Sequence, residues 1–193
     1  MEKIIPRWEW RTFGQTFGAA DQQFSASSAP QESDEIYFLS TANNENVKVR
    51  DTLMDIKTLQ QVNSDGLEQW KPVMKGSFPL AAPEVKKVLD LLGVAPPPLT
   101  RTSYTLEQFI RELAKPGDLL RVVKVHKSRA HSTINGCMAE MTNVIAEGKN
   151  MRTVALELED PAQVIATVRK LGLDRFENIS YPRGLKQLVG MKI

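Results

Sequence analysis

The stretch Arg152-Thr153-Val154-Ala155-Leu156-Glu157-Leu158-Glu159 decides how the chain is read, because apolar and polar side chains trade places along it. Successive side chains of an extended strand point to opposite faces, so Val154, Leu156 and Leu158 share one face and Glu157 and Glu159 the other. The two carboxylates then stand about 7 Å apart on the same side. One face reads as core and the other as charge.

Seven other segments alternate in the same way: Ile4–Phe13, Glu35–Ser40, Asn46–Arg50, Leu53–Leu59, Leu67–Lys75, Leu119–Ser128 and Thr133–Asn143. Their polar faces also carry charge. Lys48 and Arg50 lie opposite Val47 and Val49, Asp55 and Lys57 opposite Met54 and Ile56, and Arg7, Glu9 and Arg11 opposite Trp8 and Trp10. The segment from Leu119 puts Lys124 and His126 on one face and Val123, Val125 and Lys127 on the other, with Arg129 continuing the second set.

Helical spacing interrupts the alternation in three places. Val85, Val88, Leu89 and Leu92 recur at i, i+3, i+4 and i+7 before Gly93; Leu106, Phe109, Ile110 and Leu113 repeat the spacing after Thr105, with Gln108 completing a capping box. A third helix opens at Asp160-Pro161, runs through Val164, Ile165, Val168 and Leu171, and ends near Gly172. The stretches Gly18 to Ser33 and Ala95 to Arg101 read as loops. Five strands, two helices, three strands and one helix, in that order, give an α+β protein with an antiparallel sheet, since runs of consecutive strands do not form βαβ units.

The chain has 193 residues, 41% hydrophobic and 25% charged, which suits a single domain over 1–193 with a helical insertion at about 82–116. Lys plus Arg total 25 and Asp plus Glu 23, so the net charge of +2 excludes a strongly basic nucleic-acid coat or an acidic tail. Cys137 is the single cysteine, which leaves no internal disulfide and no Cys-based zinc site, and His126 and His131 are too few for a His-based one. No uncharged run approaches the roughly 18–20 residues of a membrane span, and the first residues lack the apolar stretch of a signal peptide. A cytoplasmic protein with no membrane partner is expected.

Two arrangements use these strands. In one, helices cover the apolar faces and the charged faces are wet. In the other, about eight strands close into a barrel whose charged faces line an interior wide enough for one small ligand. Mixed charge in such an interior suits a polyanion with a divalent metal, because Lys and Arg hold phosphate oxygens and carboxylates hold the hard cation. Composition leaves both open.

The Tyr37-Phe38 strand followed by Lys48-Val49-Arg50, then Lys127-Ser128-Arg129 leading to Gly136, then Glu157-Leu158-Glu159 late in the chain, resemble the CYTH superfamily of triphosphate tunnel metalloenzymes. That superfamily includes inorganic triphosphatases, thiamine triphosphatases and class IV adenylyl cyclases. The resemblance runs from Ile4 to Gly190 and implies an antiparallel eight-stranded β tunnel with flanking helices, in which basic residues grip a triphosphate and acidic residues bind Mg²⁺ or Mn²⁺. Carried over by position, it implies that Lys57, Lys127 and Arg129 are catalytic cations and that Lys48, Arg50 and Arg11 bind substrate. Lys124 replaces Lys127 if the register slips by one residue, and Lys186, after Ser180-Tyr181-Pro182, closes the tunnel from the C-terminal side. The implied metal ligands are Glu157, Glu159, Glu9 and Glu140.

The family's N-terminal signature is Glu-x-Glu-x-Lys, whereas this chain reads Arg7-Trp8-Glu9-Trp10-Arg11. The middle acid and the final cation are kept; the first acid has become a base. The implied function is a metal-dependent phosphohydrolase acting on inorganic triphosphate or an organic triphosphate. The alternatives are a tunnel that binds a phosphorylated ligand as a sensing module, and a class IV-type adenylyl cyclase. The expected partner is a triphosphate-containing small molecule, with nucleic acid entering only as an RNA 5′ end, and the helical insertion is free to cover the tunnel mouth or to support a homodimer.

Overall fold

The eight alternating segments become strands that pair into a closed antiparallel barrel. The computed structural model describes residues 5–24, 29–115, 117 and 119–191. Along the chain lie β1 (Arg7–Gly14), α1 (Ala19–Phe24), β2 (Gln31–Ser40), β3 (Asn46–Arg50), β4 (Leu53–Val62) and β5 (Glu68–Ser77). A short ribbon of β6 (Leu80–Ala81) and β7 (Ser103–Tyr104) brackets α2 (Ala82–Leu91), and α3 (Leu106–Gln108) continues into a π-helical turn, Phe109–Leu113. Then come β8 (Leu120–Ile134), β9 (Cys137–Ala146), β10 (Lys149–Leu158), α4 (Pro161–Lys170) and α5 (Tyr181–Val189). The barrel order is β1-β10-β9-β8-β2-β3-β4-β5, closed by pairing of Arg7, Trp8 and Glu9 on β1 with Trp70, Gln69 and Glu68 on β5.

The apolar faces point outward and the helices cover them. Met54, Ile56, Val47, Val49 and Phe38 pack under α2 and the α3 turn, while Trp10, Val154, Leu156, Ala139 and Met141 pack under α1 and α4. Two helix starts form as their sequences imply. The Asp160 carboxylate accepts the Ala162 N–H at 2.9 Å, and Thr105 and Gln108 exchange backbone-to-side-chain bonds at 3.2 and 2.9 Å.

The third apolar cluster lies inside the barrel. Leu39, Val123, Val125 and Val144 point inward at one end and meet Tyr181, Leu185, Leu188 and Val189 of α5. The helix closes that end. Gly184 makes the fit, because a Cβ added there would overlap the ring of Phe13. Gly184→Ala is expected to destabilise the protein by about 1–3 kcal/mol through overpacking, read as a lower melting temperature.

Several expectations need correction. Thr133–Asn143 is not one strand: Asn135 and Gly136, both at positive φ, form the β8–β9 turn, so β8 runs on to Ile134 and β9 to Ala146. The expected loop from Gly18 to Ser33 holds α1 and the start of β2, and α5 was not anticipated. The last strand stops at Leu158 rather than Glu159, because Asp160 caps α4 immediately after it. Ile4, the expected start of the first strand, and Pro116, the expected end of the helical insertion, lie outside the described residues. Among the described residues no helix is long and apolar enough to cross a membrane.

Candidate functional site

Beyond α5 the barrel interior opens into a cavity of about 270 Å³ lined almost entirely by polar side chains. Alternation puts them there. With Val47, Val49, Met54 and Ile56 turned out to the helices, Asn46, Lys48, Arg50, Asp55 and Lys57 must turn in. The same parity on the other wall brings in Lys127 and Arg129 from β8, Glu140 from β9, Glu157 from β10, and Glu9 and Arg11 from β1.

The basic half is organised around a buried carboxylate. Glu35 on β2 lies between β3 and β8 in the barrel order, and its oxygens reach Lys127 at 2.8 Å, Lys48 at 3.2 Å, Arg129 at 3.6 Å and Arg50 at 3.8 Å. Burial works against its charge, but Lys127 and Lys48 outweigh that and hold its pKa down to about 2. Lys127 also donates to the Tyr37 hydroxyl at 2.6 Å and sits 3.9 Å from the Tyr181 ring centre. Burial, reinforced by the positive charge of Lys48, lowers its pKa to about 7. Tyr37 and Tyr181 stack at 5.4 Å and form the floor.

The acidic half is arranged across β5, β1 and β10, where Glu68, Glu9 and Glu157 are register partners side by side. Arg11 stands among the acids: it donates to Glu9 at 2.8 Å and to Glu140 at 3.3 Å, with its guanidinium 4.9 Å from the Tyr181 ring centre. Burial opposes ionisation of Glu9 and Glu140, but the nearby Arg11 charge prevails and lowers both pKa values, Glu140's to about 2. Glu157 behaves differently. Burial and the adjacent Glu9 charge both push its pKa up, and Glu68, which accepts the Trp70 indole N–H, is raised to about 7 for the same two reasons.

Four buried atoms on the cavity wall, Asn46 Oδ1, Asp55 Oδ1, Arg129 Nε and Tyr181 Oη, have no hydrogen-bond partner among the described residues. These atoms are inaccessible themselves, although other atoms of the same residues line the cavity.

The structure thus gathers Glu9, Arg11, Lys48, Arg50, Lys57, Lys127, Arg129, Glu140 and Glu157 around one cavity. Three other candidates lie elsewhere. Lys124 is exposed on the outer face, since Lys127 has the inward parity, and it borders a separate surface groove of about 490 Å³. Lys186 is buried in α5 but spends its ammonium on Asn43 O and Asn44 Oδ1, both at 2.6 Å, tying the helix to the β2–β3 loop. Glu159 is exposed, one residue past the end of β10. Arg7 is also exposed and does not line the cavity. Four residues at the site, Glu35, Tyr37, Lys75 and Tyr181, are not among the expected ligands. The first two share the inward face of their strand with Leu39, a signal present in the alternation; Tyr181 arrives on the unanticipated helix.

No sequence-family model matches the chain, and neither does any curated protein. Solved structures do match. A Hippeastrum protein named a candidate adenylyl cyclase and described as having a dominant triphosphatase activity is 12% identical over 97% of both chains, with a TM-score of 0.51. A candidate adenylate cyclase from Bacillus halodurans is 11% identical, covering 95% of this chain and 98% of its own, with a TM-score of 0.48. An identity of 12% speaks to the fold alone, and the fold in common with the Hippeastrum structure is the closed, eight-stranded antiparallel barrel with flanking helices.

Proposed function

We propose that the cavity binds the phosphate chain of a triphosphate together with Mg²⁺ or Mn²⁺ and hydrolyses it. The carrying observation is the lining itself: Lys48, Arg50, Lys57, Lys75, Lys127 and Arg129 converge on one 270 Å³ space whose opposite wall is acidic. Such cations clamp phosphate oxygens, and in phosphoryl transfer positioning and charge neutralisation supply most of the catalysis.

The residues fit one divalent ion shared with the substrate. Glu9 and Glu157 stand directly opposite each other on paired strands, two carboxylates whose mutual repulsion a cation would relieve. Among the described residues no three His, Cys, Asp or Glu side chains are arranged to hold a metal by themselves. That suits Mg²⁺, which binds through one or two carboxylates plus substrate phosphates rather than in an all-protein cage. Arg11 engages both Glu9 and Glu140, and of these two Glu9 is the register partner of Glu157, which makes the Glu9–Glu157 pair the candidate holder. When bound, the ion would neutralise phosphate charge and polarise the transferring group.

The test is phosphate release from inorganic triphosphate and from a nucleoside triphosphate, with Mg²⁺, Mn²⁺ or chelator. Metal-dependent release is expected. Binding without release would favour the second reading, a ligand-sensing tunnel, for which the Arg11 bridge between Glu9 and Glu140 is the supporting observation because it places a fixed cation among the acids.

A further inference from the structure

Among the described residues, Glu35 is the acid on the basic side of the tunnel that contacts four cations, and its side chain is completely buried. Those cations come from the two strands that flank β2, Lys48 and Arg50 from β3 and Lys127 and Arg129 from β8. We propose that Glu35 is a positioning residue that gathers these four side chains against the barrel wall into a single preassembled cationic arc, onto which the phosphate chain docks. The inference rests on the triphosphate reading above.

The geometry explains why such a post is needed. Four like charges converging on a small space repel one another and would splay towards solvent or, where buried, lose a proton. A carboxylate between them offsets that cost without filling the cavity, because the Glu35 side chain is fully buried and is not part of the cavity lining. Lys127 is the cation most exposed to the effect. It faces Glu35 and Tyr37 from β2, Lys48 from β3, Glu140 from β9 and Tyr181 from α5, beside Arg129 of its own strand. Among these groups Glu35 is the acid in direct contact with its ammonium. Without that acid Lys127 would lose its proton at lower pH.

The experiment is calorimetric titration of inorganic triphosphate, without metal, into the full chain between pH 5.5 and 8.5, in buffers of different ionisation enthalpy so that proton uptake is read with affinity. Wild-type protein is expected to take up protons on binding as pH passes about 7, with Lys127 and Glu157 both contributing, so the difference between the Glu35 variants and wild type is what reports Lys127. In Glu35→Gln the Lys127 part of that uptake should move down by about one pH unit or more. Glu35→Asp, which keeps the charge, should recover most of the shift. An unchanged onset in a folded Glu35→Gln protein would overturn the proposal. Should that variant not fold, Glu35→Asp is expected to show a smaller downward move, and no move would count against the proposal equally. Wild-type protein that does not bind triphosphate at all would remove the functional reading and this inference with it, whereas wild-type binding with an unmoved onset removes the inference alone.

Discussion

Glu157→Gln is expected to reduce metal-dependent phosphate release by about 100-fold or more, the scale typical of removing a group that stabilises transition-state charge. The same change should make the protein more stable. Burial and Glu9 raise the folded pKa of Glu157 above its ordinary value, and an acid shifted upward costs stability increasingly as pH climbs through the interval between its unfolded and folded values. Gln cannot ionise, so the variant should melt higher than wild type at pH 8 and match it more closely near pH 4. Lost activity with raised stability separates a functional carboxylate from a structural one. A variant that lost both together would place Glu157 in the scaffold.

Arg11→Ala is expected to lower stability by about 3–5 kcal/mol, the range seen when one member of a buried ion pair is removed. Arg11 is 5% exposed and is the cation in contact with both Glu9 and Glu140. Without it those two acids lose their direct ion-pair partner and share the cavity wall with Glu157, facing only the more distant charges of Lys57, Lys127 and Arg129. In a protein of this size the loss corresponds to a fall in melting temperature of about 6–20 °C. Mn²⁺ or Mg²⁺ should restore part of it, raising the melting temperature of Arg11→Ala more than that of wild type. Equal metal effects on the two proteins would argue that the acids do not reach a common cation.

Much of the tunnel was legible in the alternation of single strands. Lys48-Val49-Arg50 needs only the period of two to put both cations on one side, and the apolar partners Val47 and Val49 say which side faces the helices. Parity also separates Lys127 from Lys124. The readings failed where a local signal was overrun or where the cause was not local. Asn135-Gly136 is a strong two-residue hairpin signal, yet it sits inside a run that alternates across it. The α5 sequence carries Gly184, a poor helix residue that tertiary packing overrides, and it is that packing that delivers Tyr181 to the floor. Glu35 illustrates the second kind. Its inward face could be counted off from Tyr37 and Leu39, but its four cationic partners depend on β2 lying between β3 and β8, and no periodicity specifies which strands become neighbours. Glu159 failed for want of one residue, because the cap of α4 ends the strand before it.

The most direct test of the tunnel as the ligand site is a crystal structure grown with inorganic triphosphate and Mn²⁺, using the anomalous signal of the metal. The phosphate chain is expected inside the barrel, in contact with Lys48, Arg50, Lys127 and Arg129, with manganese between the chain and the Glu9–Glu157 pair. Triphosphate bound on the outer surface, as in the groove beside Lys124, or a tunnel that stays free of it at saturating concentration, would contradict the account.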